Sequence, residues 1–197
     1  MGSPVLLDLP DAIDTERMQL RSPMPGDGAA LNAAILDTWD ALHRWMPWAR
    51  ERPSVEDTEQ HARTARAAFL TRADLSMLMV LPDGTVIGGS GLHRMNWEVP
   101  QFEIGYWVRR THEGQGYVSE TVRALARFAI ATLGAQRVEI HCSHRNTRSQ
   151  RVAERCGFVL EGRLRNRLRE PDGELRDTMI YSLVPDDPAA RALLAGT

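Results

Sequence analysis

The sequence predicts a single domain, over residues 1–197, of the α/β (α+β) class. An apolar strand at Phe102–Val108 is followed by a short loop and an amphipathic helix. Two further pairs of apolar segments flank glycine-containing turns at 82–84 and 171–173, as β-hairpins do. Because no repeated strand–helix–strand pattern precedes Phe102, a doubly wound parallel sheet is not expected.

The elements before residue 101 are predicted from their periodicity and end signals. In order they are a strand over 17–20, helical segments over 27–45, a helix from Ser54, and strands over 75–81 and 86–94. Ser54 and Asp57 have the spacing of a helix cap and its partner, which fixes the start of the third of these. The turn at 82–84 joins the last two strands.

The second half begins with a strand over 101–108 and a helix whose apolar positions recur at helical spacing. These positions are Val122, Leu125, Ala126, Ala129, Ile130 and Leu133. Gly134 is expected to end this helix as the residue just beyond it. A strand over 137–142 follows, and then a short helix with Thr147 and Gln150 as a capping box.

The chain is predicted to close with hairpin strands over 159–169 and 175–184. Residues 1–12 and 186–197 are expected to be loosely ordered tails.

The turn Gly114–Gly116 at the start of the long helix is suited to hold a phosphate or pyrophosphate. A glycine-flanked turn presents unpaired backbone N–H groups, and the helix dipole adds positive potential. A dinucleotide fingerprint would start directly after the strand, but residues 109–113 intervene. A P-loop is excluded because no Gly-Lys-Ser/Thr follows. A tight turn without a ligand remains the alternative on this loop alone.

A second cluster of residues makes the chain resemble a known superfamily. It comprises the Asn146-x-x-Ser149 spacing and the ERCGF sequence at Glu154–Phe158, besides FEIGYWV, GQGYVSE and the WMPW sequence at 45–48. With these motifs the chain resembles the GCN5-related N-acetyltransferase (GNAT) superfamily and, within it, the RimL/RimJ-type branch. The resemblance extends from about Thr15 to Leu183.

The resemblance implies a central mixed, mostly antiparallel sheet flanked by helices, with a splayed strand pair that admits acyl-CoA. Acetyl-CoA is the expected co-substrate, and no metal is expected. The residues expected to bind it are Trp107, Val108, Arg109, Gly114, Gln115, Gly116, Tyr117, Val118, Ser119, Asn146 and Ser149. The chain departs from the family's loop pattern at Thr111 and Glu113, so Arg109 and Arg110 are expected to supply positive charge.

The expected reaction is attack of a primary amine on the thioester carbonyl. Only a small fraction of an amine is neutral at pH 7, so a base near it is needed. Glu103 is the candidate base and Ser149 the candidate acid for the departing thiolate. Glu103 could instead be a structural partner of Arg94, and the proton could pass to His93 or water.

The resemblance implies an N-acetyltransferase whose acceptor is a protein or peptide N-terminal α-amine. The expected acceptor residues are Trp45, Trp48, His93 and Glu103. The alternatives are a small amine (amino acid, polyamine or amine antibiotic) or a non-catalytic acyl-CoA-binding regulatory module. The two tryptophans could also belong to the core or to a subunit interface.

Composition also limits the kinds of partner and site that are expected. The net charge of −2 argues against a nucleic-acid-coating protein, and no apolar run is long enough to span a membrane. Cys142 and Cys156 are expected to be free thiols of a cytoplasmic homodimer. A metal site at His141, Cys142 and His144 is disfavoured, because neighbouring strand residues point to opposite faces. Alternating arginines over 163–169 indicate either a solvated edge or a surface for an acidic partner.

Overall fold

The computed structural model describes residues 3–170 and 173–195. Its strands are β1 (Ala12–Asp14), β2 (Gln19–Arg21), β3 (Leu75–Val80), β4 (Val86–Asn96), β5 (Gln101–Val108), β6 (Arg137–Ser143), β7 (Val159–Arg169) and β8 (Leu175–Leu183). Its α-helices are α1 (Gly28–Asp37), α2 (Trp39–Trp45), α3 (Val55–Thr71), α4 (Tyr117–Ala131), α5 (Thr147–Arg155) and α6 (Pro188–Ala195). Short 3₁₀ turns occur at Pro4–Leu6 and Arg110–His112.

Within the described residues the strands form one mixed sheet of eight, in the order β1-β2-β3-β4-β5-β6-β8-β7. All neighbours are antiparallel except β5 and β6, which are parallel. Pairing between β5 and β6 is limited to residues 101–103 and 137–139. Both strands continue well beyond that point, so they diverge and leave a cleft between them, as expected of a splayed strand pair.

Helices cover both faces of the sheet. On β3, Met77 and Met79 belong to a core cluster that includes the apolar face of α4, whereas Leu78 and Val80 pack with α1 and α2. Alternate strand residues face opposite sides, so these two clusters lie on the two faces. Leu125 of α4 is fully buried, which confirms the apolar face predicted for that helix.

A β-bulge interrupts the pairing of β4 with β5. His93 is opposite Glu103, but the register shifts between His93 and Asn96. Within the bulge, Arg94 has a φ of 48°, in the left-handed region that non-glycine residues seldom adopt. The extra residue suspends the strict alternation of side chains at this point of the strand.

Most predicted elements are present, with some corrections at their ends. The strand predicted over 17–20 is β2, at 19–21, and β1, at 12–14, was not predicted. The capping box of Ser54 and Asp57 is confirmed at the start of α3. The helix α4 ends at Ala131, earlier than predicted, although Gly134 has the expected left-handed φ of 67°.

Two predictions about the C-terminal half are wrong. The residue that caps α5 is Asn146, whose side chain accepts a hydrogen bond from the backbone N–H of Ser149, so Thr147 is the first helical residue rather than the cap. The segment Pro188–Ala195, expected to be a loose tail, forms α6 and buries Ala190 in the core with α4. Of the predicted hairpin turn, Pro171 and Asp172 lie outside the described residues.

The described chain contains no helix that is long and apolar enough to cross a membrane.

Candidate active site

The glycine loop before α4 is an open N-terminal turn. Gly114 and Gly116 have φ values of 74° and 87°, and Gly116 is the residue from which the helix begins. The backbone N–H groups of the first turn have no intrahelical partner, so they are available to an anion. The turn therefore has the open geometry that phosphate binding would require, and phosphate binding itself stays a prediction.

Arg17 holds this loop in place, a role that no local pattern in the sequence predicts. Its Nη1 donates to the Gln115 carbonyl at 2.9 Å, and its guanidinium pairs with Glu120 at 2.7 Å. Burial raises the pKa of Glu120, but hydrogen bonds from Thr15 and Arg17 outweigh it and keep that pKa below its usual value. These contacts join the segment just before β2 to the glycine loop, which follows about a hundred residues later in the sequence.

A groove of about 310 Å³ runs from this loop along α5 to the cleft between β5 and β6. The residues expected to bind acetyl-CoA that line it are Trp107, Val108, Gly114, Gly116, Tyr117, Val118, Ser119, Asn146 and Ser149. The groove is also lined by three arginines of α5 that were not among the predicted site residues, Arg148, Arg151 and Arg155. Their i, i+3, i+7 spacing on a short helix places them on one face and is the pattern from which they could be predicted.

Two of the expected cofactor residues are placed elsewhere. Arg109 donates to Asp37 at 2.9 Å and does not contribute to the groove wall, and the side chain of Gln115 bonds to the Thr111 carbonyl. Glu113 does line the groove, where its carboxylate pairs with Arg148 at 2.8 Å. The positive charge along the groove thus comes from α5 rather than from the residues after β5.

At the cleft, Ser149 is held by two neighbours. The Tyr106 hydroxyl is 2.8 Å from Ser149 Oγ, and Asn146 Oδ1 accepts the backbone N–H of Ser149. Burial raises the pKa of the Tyr106 hydroxyl well above its usual value, so that group stays protonated. Burial likewise raises the pKa of the nearby Cys142 thiol to about 11. Both groups therefore keep their protons at neutral pH, so Cys142 is not a thiolate nucleophile.

A second cavity of about 540 Å³ lies beside the groove. The two share Met46, Tyr106 and Trp107 as lining residues, so they meet at the outer half of β5. The Trp107 indole packs directly against Gly89 of β4, since a Cβ placed on Gly89 would lie only 2.6 Å from the indole Nε1. Glycine at position 89 thus leaves room for the indole where the two cavities meet.

The second cavity contains three of the four predicted acceptor residues. Trp48, His93 and Glu103 line it, whereas Trp45 lines the groove instead. The bulge in β4 lets consecutive side chains, His93 and Arg94, face the same cavity.

The carboxylate of Glu103 is within hydrogen-bond distance of Arg94 and His141, as expected of a residue with a structural role. Its Oε2 is 2.9 Å from Arg94 Nη1 and 3.1 Å from His141 Nδ1, and the other nitrogen of His141 faces Glu139. The pairing with Arg94 considered from the sequence is therefore present. Glu103 also lines the second cavity, so the ion pair with Arg94 does not withdraw it from that surface.

No group of three metal-ligating side chains occurs in the described ranges. Cys142 is buried on the core side of β6, whereas His141 faces Glu103. Both cysteines are free, as predicted.

The model of the acetyltransferase (GNAT) domain family matches residues 17–159 of the chain. The protein belongs to the GNAT family. It is therefore an acetyl-CoA-dependent acetyltransferase, and the family predicted from the sequence is confirmed.

Individual GNAT proteins are similar over most of the chain. YdaF of Bacillus subtilis (strain 168), named as a candidate ribosomal N-acetyltransferase, is 32% identical over 86% of this chain and 92% of its own length. The ribosomal-protein-serine acetyltransferase of Escherichia coli (strain K12) is 31% identical over 65% of this chain and 70% of its own.

The structure of RimL, a ribosomal L7/L12 alpha-N-protein acetyltransferase in complex with coenzyme A, superposes with a TM-score of 0.82 at 22% identity. It covers 88% of this chain and 97% of RimL. The similarity confirms the GNAT fold predicted for the chain, including its mixed sheet flanked by helices.

Proposed function

We propose that this GNAT enzyme acetylates the α-amine of a protein or peptide N-terminus. The observation that supports the proposal is the meeting of two cavities at Tyr106 and Trp107, one beside a phosphate-binding turn and one beside a cluster of carboxylates. A thioester in the first and an amine in the second would come together at the splayed end of β5.

In the groove, the CoA pyrophosphate binds the N–H groups of the Gly114–Ser119 turn. Arg151 and Arg155 add positive charge for the phosphates. Beyond residue 103, β5 has no pairing to β6, so its backbone is available to the pantetheine arm. The Oδ1 of Asn146 is used by the helix cap, so its Nδ2 is the group that donates to a pantetheine amide.

In the second cavity, Glu103 binds the acceptor's ammonium group and acts as base. The amine attacks the thioester carbonyl, which a backbone N–H near Val108 polarises. As the adduct collapses, Ser149 Oγ gives its proton to the thiolate, and Tyr106, 2.8 Å away, orients the serine hydroxyl. No covalent intermediate on the enzyme is required.

The wall of the second cavity fits a peptide end. Glu51, Asp57 and Glu103 provide negative charge, and Met46 with Trp48 provides apolar surface. Relatives named for the acetylation of ribosomal proteins support the same acceptor class.

The direct test is release of free CoA thiol from acetyl-CoA across a panel of amines. The panel contains unstructured peptides with free N-termini, the same peptides with blocked N-termini and a free lysine, amino acids, polyamines and an amine antibiotic. We expect the free N-terminal peptides to have the highest kcat/KM, with the acetyl group on the α-amine by mass spectrometry. A preference for a small amine would contradict the proposed acceptor, and thiol release with none of them would favour a binding module.

The two tryptophans of the WMPW segment are expected to contact different substrates. Trp48→Ala removes an apolar wall of the second cavity and should raise the peptide KM about tenfold, with KM for acetyl-CoA unchanged. Trp45→Ala is the matched comparison, because Trp45 lines the groove and its loss should raise KM for acetyl-CoA instead. Size exclusion accompanies both assays, since loss of a dimer with an unchanged peptide KM would place Trp48 in a subunit interface.

We also propose a cytoplasmic homodimer. Two buried free cysteines are typical of a reducing compartment. The strand β7 is a sheet edge with exposed Leu160, Leu164 and Leu168, surface that a second subunit could cover.

A further inference from the structure

Acetyl transfer requires two protons to leave the acceptor nitrogen. An ammonium group must lose one proton to become a nucleophile, and the tetrahedral adduct must lose a second. The thiolate regains one, and one is released to solvent. Glu103 holds one proton at a time, so a second acceptor in the same cavity would separate the two steps.

His93, which lines the second cavity (the proposed amine site, called the acceptor cavity from here on), is hydrogen-bonded to Asp74. His93 Nδ1 is 2.8 Å from Asp74 Oδ2, and Asp74 Oδ1 accepts the Ser76 hydroxyl at 2.6 Å. Burial raises the pKa of Asp74, but the hydrogen bonds from His93 and Ser76 outweigh it and keep that pKa below its usual value. Asp74 is therefore an acceptor-only carboxylate at neutral pH, and the proton of a neutral His93 stays on Nδ1.

That tautomer leaves Nε2 of His93 unprotonated, and this nitrogen lies beside Gly105 of β5. A Cβ placed on Gly105 would lie 3.3 Å from Nε2, and one placed on Gly91 would lie 2.9 Å from Cε1. The imidazole thus fits between two glycines, and its free nitrogen lies against the splayed half of β5. The hydrogen bonds recorded among the described residues include none to His93 Nε2.

We propose that His93 Nε2 takes the first proton from the bound ammonium group, with Asp74 as the positioning residue that fixes its tautomer and stabilises the imidazolium. Glu103 then takes the proton that the adduct loses. This proposal deepens the proposed function and rests on the second cavity being the amine site. The Glu103 carboxylate is already paired with Arg94 at 2.9 Å, whereas no hydrogen bond among the described residues engages His93 Nε2, so the imidazole is the better placed acceptor of the first proton.

Other titratable groups face the same cavity and bear on any pH profile. They come from the segment before α3, from α3, and from β4 and β5: Glu51, Asp57, His61, Arg94, Glu103 and Tyr106. Burial lowers the pKa of His61, which favours its neutral form over the pH range of the experiment.

The test compares His93→Gln, Asp74→Asn and the double variant with the wild type from pH 6.5 to 9, using whichever amine of the panel reacts best. His93→Gln should lower kcat about 100-fold at pH 6.5. The defect should shrink toward pH 9, as the amine loses its proton to solvent. KM for acetyl-CoA should stay constant, which also shows that the variants fold.

Two further measurements separate a dyad from independent residues. In the double variant the loss should equal that of His93→Gln alone, because Asp74 acts through the imidazole. Added imidazole should restore part of the rate of His93→Ala and none of Glu103→Gln. A wild-type kcat in His93→Gln at every pH, or losses that multiply in the double variant, would overturn the proposal.

A readout without turnover keeps the proposal testable if the acceptor has been misjudged. Nitrogen-15 NMR of the wild-type protein at pH 8 should show His93 as the Nδ1–H tautomer, and Asp74→Asn should lose that preference. An Nε2–H tautomer in the wild type would overturn the dyad. Acetylation of small amines alone, with the NMR and kinetic results as expected, would refute the peptide acceptor and leave the dyad standing.

Discussion

Glu103→Gln should lower kcat about 100-fold across pH 6 to 9, and the acidic limb of the pH–rate profile should shift or disappear. The amide keeps the shape of the side chain but cannot accept the amine's proton or balance its charge. CoA affinity should barely change, because Glu103 lines the acceptor cavity and not the groove. Steady-state kinetics and calorimetry with CoA measure the two quantities.

Glu139→Gln is the matched control for this change. Glu139 is opposite Glu103 on the neighbouring strand and also contacts His141, but it does not line the acceptor cavity. Its substitution should change kcat less than threefold if the effect of Glu103 belongs to the reacting amine. A wild-type rate in Glu103→Gln throughout this pH range would assign all proton transfer to other groups, such as His93 or water.

Gly116→Asp should weaken CoA binding about 100-fold, the loss expected when two charge-assisted hydrogen bonds of about 1.5 kcal/mol each are removed. The new carboxylate would lie at the start of α4, where it repels the pyrophosphate and bonds to the same N–H groups. The protein should still fold, because a Cβ at this position meets only Arg17 Nη2, at 3.4 Å, which is ordinary contact distance. Calorimetric titration with CoA measures the affinity.

Gly84→Asp controls for backbone strain and added charge. Gly84 also has a φ of 87°, and a Cβ there meets open space at the turn between β3 and β4, away from both cavities. Its substitution should cost similar stability and leave CoA affinity unchanged. Equal weakening in both variants, or none in Gly116→Asp, would place the pyrophosphate away from the glycine turn.

The features that sequence predicts well here are local ones. The turn at Gly114–Gly116, the cap at Ser54 and the apolar face of α4 each depend on residues within a few positions of one another. The cap of α5 was misassigned because Asn146 and Thr147 are adjacent and both are good capping residues. The tail helix α6 was missed because an alanine-rich segment at a chain end gains its order from packing on α4.

The contacts that could not be predicted from the sequence join residues that are far apart in the chain. Arg17 reaches Gln115 and Glu120, and Asp74 reaches His93, only after the sheet has formed. The two tryptophans of one short motif enter different cavities, since the chain leaves α2 between them. No periodic pattern in the sequence predicts which of these distant residues come into contact.

The bulge at Arg94 has a consequence for how proteins built on this sheet could diversify. Deleting one residue there would restore regular pairing and turn the last side chains of β4, Met95 and Asn96, to the opposite face. If the deleted residue were Arg94, the acceptor cavity would lose the positive charge that pairs with Glu103, while the glycine turn and α5 would keep their places. A single-codon deletion could thus alter the choice of acceptor and preserve the donor, without any change to the residues that hold CoA.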